Sequence, residues 1–124
     1  MKTGSIRCAA SGQTIAAHAW LADRWPLRLR GLLGRAPLQD RARQALWLRP
    51  CASVHTLGMR YALDVVFLDR DDRVCGWREH LAPIRFAACT GARSTVEFHA
   101  GALDVIGPRL GSKWDWQPQQ EQRK

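Results

Sequence analysis

The side chains that could do chemistry gather around one segment, "HTLGMRYALDVVFLD", at residues 55–69. Asp64 stands in its most apolar part, and a buried carboxylate is costly unless it is paired or hydrogen-bonded. Asp64 therefore requires a partner, and two kinds are open. Backbone N–H groups of the 56–60 turn could bind the carboxylate and fix the turn. Alternatively, the acid faces a ligand and is oriented by His55, Arg30 or Arg35.

Polar residues at the ends of strands and helices predict a binding patch rather than a nucleophilic centre. Arginine binds carboxylate and phosphate through two parallel hydrogen bonds, so the expected ligand is a small anionic molecule or a segment of a partner protein. Arg85 and Glu97 could form a surface ion pair or line the pocket, and Met59 could pack at its rim. The predicted ligand-binding residues are Arg30, Arg35, His55, Thr56, Met59, Asp64, Arg85 and Glu97.

An enzyme is the main alternative, and it would use His55 and Asp64 as an acid–base pair. Such a hydrolase would also need a nucleophile. The candidate nucleophiles are Cys51, Ser53, Ser94 and Cys75, and none stands in a recognisable signature. No catalytic residue is assigned from the sequence.

The four cysteines, Cys8, Cys51, Cys75 and Cys89, form no C-x-x-C pair. Cys51 and His55 would share one face of a strand, but two ligands do not make a zinc site, so neither a metal nor a cofactor is predicted. The N-terminus lacks an apolar run of signal-peptide length, and no stretch reaches the roughly 20 apolar residues of a spanning helix. We therefore expect a cytoplasmic protein with reduced thiols and no membrane insertion.

The charge balance favours anionic partners, because the 124-residue chain carries a formal charge of +8. An arginine-rich proteome would explain the same balance. Six tryptophans offer stacking surfaces for nucleic acid. No helix-turn-helix, RNA-recognition or cold-shock signature accompanies them, so electrostatic nucleic-acid binding is the third function considered. Its basic residues would be Arg24, Arg28, Arg41, Arg43 and Arg49.

The elements that must position these residues are mostly short strands. Alternating or apolar runs predict strands at "QTIAAHAWL", "ALWL", "CASVHT", "ALDVVFLD", "VCGWRE", "STVEFH" and "SKWDW". A helix with a basic face is expected over "RWPLRLRGLLGR", and one further helical turn in "AGALDVIGPRLG". The predicted fold is α+β and mostly β, a compact single domain with a small barrel-like or strongly curved antiparallel sheet. The domain would span 1–116, and the polar tail 117–124 would be disordered.

Five segments in this order resemble domain-of-unknown-function family 192, over about residues 13–116. They are "RLRGLLGR", "HTLGMRYALDVVFLD", "RVCGW", "APIR" and "STVEFHAGALDVIGPRLG". Many members carry W-M-K-N-T-x-x-P-L-D before the main strand, whereas this chain has "HTLGMRYALD", which resembles a variant branch with H-T-x-G-M-R. The resemblance implies a compact, mostly β domain and no established reaction. Relatives of this branch lie near pilus or secretion genes, which implies an accessory role in such a machine.

Overall fold

Most of the described chain is β-strand, as the sequence predicted. The computed structural model describes residues 2–23, 44–50, 53–55, 61–82 and 86–119. A helix expected between Arg24 and Arg35 lies outside these ranges. The elements, in chain order, are β1 Lys2–Cys8, β2 Thr14–Ala22, β3 Gln44–Leu48, β4 Ser53–His55, β5 Leu63–Leu68, β6 Val74–Leu81, β7 Phe86–Ala88, β8 Ser94–His99, α1 Ala102–Ile106 and β9 Trp114–Pro118.

Seven of the described strands form one sheet in the order β6-β5-β8-β3-β2-β1-β9. Neighbours are antiparallel except β2 and β3, which run parallel. A parallel pair needs a long crossover, which explains why residues 23–43 separate these two strands. The predicted sheet was antiparallel throughout, and this pair is the exception. The short strands β4 and β7 pair in a second, two-stranded antiparallel sheet.

The large sheet is strongly curved, so its two edge strands approach each other at one end. Arg73, just before β6, bridges to Lys113, just before β9. The Val74 N–H donates to the Ser112 carbonyl at 2.8 Å, and the Trp114 N–H donates to the Asp72 carbonyl at 2.9 Å. The contact is confined to these strand ends, so the sheet remains open between β6 and β9. Register shifts in β1 and β6 increase the local twist.

The sheet buries side chains on both faces, and β5 shows this directly because all six of its residues are buried. Val66 packs with Val96, Phe98 and Leu103 of α1, and we call this side the helix face. The alternate residues of β5 pack in a second cluster with Leu46, Leu48, Ala87 and Ala92. Val96 and Phe98 of β8 lie on the helix face, so Glu97, which stands between them in the strand, lies on the opposite side. We call that side the Glu97 face. Both faces of β5 are therefore apolar, as its sequence "LDVVFL" allows.

The C-terminal residues join the sheet further than the predicted boundary at 116. β9 continues to Pro118, and the Gln119 N–H donates to the Thr3 carbonyl at 3.0 Å. Residues 120–124 of the predicted tail lie outside the described ranges. Gly101 and Gly111 have φ values of 94° and 82°, so both serve turns in the left-handed region, which glycine adopts without strain.

Candidate functional site

Asp64 is fully buried at the start of β5, and backbone N–H groups supply its partners. Its Oδ1 accepts the N–H of His80 at 2.8 Å. Its Oδ2 accepts the N–H groups of Gly101 and Leu103, each at 3.0 Å. The 56–60 turn, from which donors were expected, lies outside the described residues. The three donors that the structure describes come from the end of β6 and the first turn of α1.

These bonds make Asp64 the N-terminal cap of α1, which has no capping side chain at its own N-cap position. Position 101 at the helix start is a glycine and offers no side-chain oxygen. A helix leaves its first N–H groups without intrahelical partners, and an oxygen acceptor must satisfy them when they are buried. Asp64 does so from a strand 37 residues away in sequence. Because both of its oxygens are used and none of its surface is accessible, its described surroundings support a structural role.

Glu97 is the second buried carboxyl of the large sheet, and it lies on the opposite face. In register, one cross-strand row runs through Trp20, Leu46, Glu97, Val65 and Arg78. Only 7% of Glu97 is exposed. The surface ion pair considered for Glu97 is therefore wrong on the glutamate side, because neighbours on both sides bury this position.

Glu97 is held in an environment that opposes its charge. Burial raises the pKa of its carboxyl from about 4.5 to about 7. Its Oε2 is buried, and no group in the described part of the chain donates a hydrogen bond to it. Tyr61 packs against the same cluster, and burial and then the Glu97 charge raise the pKa of its phenol. The result is a carboxyl that can gain or lose a proton near neutral pH.

The described structure covers only part of the predicted patch. Arg30, Arg35, Thr56, Met59 and Arg85 lie outside the described residues. His55 ends β4, where its backbone pairs with Phe86 of β7, and its side chain is not among those described. Asp64 and Glu97 lie on opposite faces of the sheet, so one ligand cannot contact both. The predicted patch is thus divided, and Glu97 is its described member with an unsatisfied oxygen.

A cavity of about 750 Å³ lies between the β1–β2 turn and the segment after α1. Hydrogen bonds from Ser11 lower the pKa of the Cys8 thiol there to about 7, and Ser112 adds a weaker effect. The Cys8 Sγ lies 3.5 Å from the Ser112 Oγ. Cys8 is not among the nucleophiles that the sequence suggests, because neither Ser11, three residues along the chain, nor the distant Ser112 forms a recognised nucleophile signature with it.

The basic residues considered for nucleic acid contribute one described member, Arg49. Its guanidinium lies 4.5 Å above the ring of Trp47 and 3.4 Å from the Asp72 carboxylate. Both interactions lie within the molecule, so Arg49 is already engaged. Within the described ranges, no three His, Cys, Asp or Glu side chains gather as a metal ion requires. No helix of that part of the chain is long and apolar enough to cross a bilayer.

Comparison with known families matches residues 6–116 to DUF192, described as "Uncharacterized ACR". This chain belongs to the DUF192 family. The match confirms the resemblance that the motifs predicted. A curated relative, the UPF0127 protein of Thermococcus sibiricus, is 31% identical over 71 residues. Those residues are 56% of this chain and 46% of the relative, so the chain spans about half the length of that DUF192 relative.

Two crystal structures share the DUF192 fold seen here. A protein of unknown function from Novosphingobium aromaticivorans superposes with a TM-score of 0.71 at 18% identity, covering 92% of this chain and 84% of that one. A protein from Sinorhizobium meliloti, provisionally described as a transcription regulator, gives a TM-score of 0.77 at 19% identity, with coverage of 92% and 93%. At these identities the likeness shows the fold alone.

Proposed function

We propose that this chain is a small binding domain that takes an anionic molecule on its Glu97 face. One observation carries the proposal: Glu97 is buried among apolar side chains with one oxygen that no described group satisfies. Structural carboxyls in a core have their hydrogen bonds met, as those of Asp64 are, because an unmet buried polar atom destabilises the fold. An exception to that rule favours a group kept for recognition.

The raised pKa of Glu97 predicts the kind of ligand atom that this side chain binds. A carboxyl with a pKa of about 7 is largely protonated in mildly acidic solution, and a neutral carboxylic acid donates an O–H hydrogen bond. The matching acceptor is a carboxylate or phosphate oxygen of the ligand. Arg78, which is exposed at the end of the same cross-strand row, adds positive charge on that face. His55, Arg30, Arg35, Thr56, Met59 and Arg85 are proposed as further ligand contacts.

The acid–base pair of His55 and Asp64 receives no support from the described contacts, because backbone N–H groups occupy both oxygens of Asp64. Recognition of a partner segment, in an accessory role beside pilus or secretion components, would use the same face. This alternative predicts that an extended anionic peptide binds to the protein although small anions do not. We place the binding function in the cytoplasm.

Isothermal titration with citrate, inorganic phosphate and a pooled set of carboxylate metabolites at pH 6 and pH 8 tests the proposal. If only protonated Glu97 binds, the affinity should be about tenfold higher at pH 6, following the protonated fraction of a carboxyl with this pKa. Glu97→Gln keeps a donor and should bind with the same affinity at both pH values. Glu79→Gln, at an exposed position of β6, is the matched control and should retain the wild-type pH dependence.

Two results would overturn the proposal. One is binding that is unchanged by pH and by Glu97→Gln, which would place the ligand elsewhere. The other is the absence of heat with every anion at both pH values. An anionic peptide that binds in that second case would support partner recognition instead.

A further inference from the structure

Two cysteines that are 14 residues apart in sequence meet on the Glu97 face. Cys75 lies in β6, and Cys89 follows β7. Their sulfur atoms are 3.7 Å apart, and the Cys89 thiol also lies 3.3 Å from the Cys75 carbonyl. Both residues are partly buried and both are free thiols. The pair joins the large sheet to the segment that leaves the small sheet.

The neighbouring residue makes room for this contact. A methyl group at Gly76 would lie 2.8 Å from the Cys89 sulfur, a distance that real side chains do not tolerate. The absence of a side chain at position 76 therefore lets the Cys89 sulfur lie against β6. A disulfide bond is about 2 Å long, and rotation of the two side chains about their Cα–Cβ bonds is the motion that closes such a gap.

We propose that Cys75 and Cys89 are a modification site: a thiol pair that forms a reversible disulfide when it meets a small-molecule disulfide such as oxidised glutathione. The Cys89 thiolate attacks one glutathione sulfur, forms a mixed disulfide and releases the first glutathione thiolate. The Cys75 thiol then loses its proton to solvent and attacks the Cys89 sulfur, which releases the second thiolate. Two protein thiols are oxidised, and one oxidised glutathione is reduced to two glutathione molecules.

The order of these steps follows from the surroundings of Cys75. Burial, followed by its hydrogen bond and charge interaction with Cys89, raises the pKa of the Cys75 thiol to about 11. The thiolate is the attacking species, and burial disfavours the Cys75 thiolate, so we assign the attack on the reagent to Cys89 and the resolving step to Cys75. Below its pKa, the thiolate fraction of Cys75 rises tenfold with each pH unit. Resolution should therefore accelerate about tenfold from pH 7 to pH 8.

The closed disulfide would fasten the segment after β7 to β6, on the face that carries Glu97. This site does not depend on anion binding, since it concerns the cysteine pair alone. Cross-linking a loop of about 15 residues reduces the freedom of the unfolded chain. The oxidised protein should therefore melt roughly 5–10 °C higher than the reduced protein.

The test uses the full chain carrying Cys8→Ser and Cys51→Ser, which leaves only the proposed pair. The protein is incubated with oxidised glutathione at pH 8, and the reaction is quenched by alkylating the remaining thiols. Mass spectrometry then measures the mass of the intact protein. We expect a mass lower by two hydrogens, no retained glutathione and no alkylated thiol. Adding Cys75→Ser should stop the reaction at a stable glutathione adduct on Cys89. Adding Cys89→Ser should leave Cys75 less modified than Cys89 is in the Cys75→Ser variant, because burial still raises the pKa of the Cys75 thiol when the contributions of Cys89 are gone.

Peptide mapping of the oxidised wild-type chain provides a second measurement that does not require the serine variants to fold. A linked Cys75–Cys89 peptide that disappears on treatment with dithiothreitol supports the proposal. Either a linkage that instead joins Cys51 to Cys75 or Cys89, or a stable double glutathione adduct in the two-cysteine variant, would overturn it.

Discussion

Two buried carboxyls lie in adjacent strands of one sheet and differ in their hydrogen bonding. Asp64, on the helix face, accepts three backbone N–H bonds and has no accessible surface. Glu97, on the other face, has one buried oxygen that no described group satisfies. Their strands are paired, with Asp64 opposite Phe98 and Glu97 opposite Val65. Both carboxyls are thus buried, and they differ in the number of described groups that donate hydrogen bonds to them.

The difference separates a folding role from a candidate binding role. Asp64 joins β5, the end of β6 and the first turn of α1, so its removal would affect three elements. Glu97 contributes no described hydrogen bond, and its burial opposes ionisation. A buried side chain with no described hydrogen bond is a better candidate for function than one whose oxygens all accept hydrogen bonds from the fold.

The largest expected effect comes from removing the satisfied carboxyl. Asp64→Ala would leave three buried N–H groups without an acceptor, and it should lower the free energy of unfolding by about 3–5 kcal/mol. Urea denaturation measures this change. Asp104→Ala, at an exposed position of α1, should change stability by less than about 1 kcal/mol. A loss of under about 1 kcal/mol for Asp64→Ala would show that the fold does not depend on this cap.

The second prediction concerns the pH dependence that Glu97 imposes on stability. Its pKa is raised from about 4.5 to about 7 in the folded protein, so between these values the folded state binds more protons than the unfolded state. The stabilising contribution of neutral Glu97 is complete below pH 4.5 and is lost as the pH rises through 7. Relative to Glu97→Gln, the wild type should lose on the order of 3 kcal/mol across this range.

Denaturation at pH 4.5, 6 and 8 measures the difference between wild type and Glu97→Gln. Glu79→Gln on the exposed side of β6 should follow the wild-type curve. Parallel curves for wild type and Glu97→Gln would mean that Glu97 is ionised in the folded protein without cost, which would remove the basis of the comparison.

The strands were predictable because their signal is local. The alternation of "STVEFH" separates Val96 and Phe98 from Thr95 and Glu97, and the apolar run of β5 matches the burial of both of its faces. The strand β1 was missed because Lys2, Thr3 and Gly4 give no apolar alternation. It is held between β2 and β9 by pairing with strands that lie far away in sequence.

The site was harder to predict, because its decisive contacts are distant in sequence. The requirement for a partner at Asp64 followed from its apolar neighbours, but the donors at His80, Gly101 and Leu103 lie 16 to 39 residues away. Alternation also assigned Glu97 to a face without showing that this face is covered. Cys75 and Cys89 likewise give no motif, since only the register of β6 against β5 and the turn before β8 brings them together.

The smallest effects are expected at two of the donors to Asp64, and they should have opposite signs. Gly101 and His80 both hold positive φ, 94° and 51°, while donating their N–H groups to the carboxylate. Gly101→Ala would force a Cβ into this conformation and should cost about 1 kcal/mol. His80→Gly would remove the same strain and should stabilise the protein by up to about 1 kcal/mol. Urea denaturation of each variant, and of the double variant, measures both. If the carboxylate of Asp64 enforces these conformations, both effects should shrink in an Asp64→Ala background, where the oxygen that accepts from His80 and the oxygen that accepts from Gly101 are both removed. Unchanged effects in that background would mean that the turns hold positive φ independently of Asp64, and the carboxylate would then satisfy conformations that it does not impose.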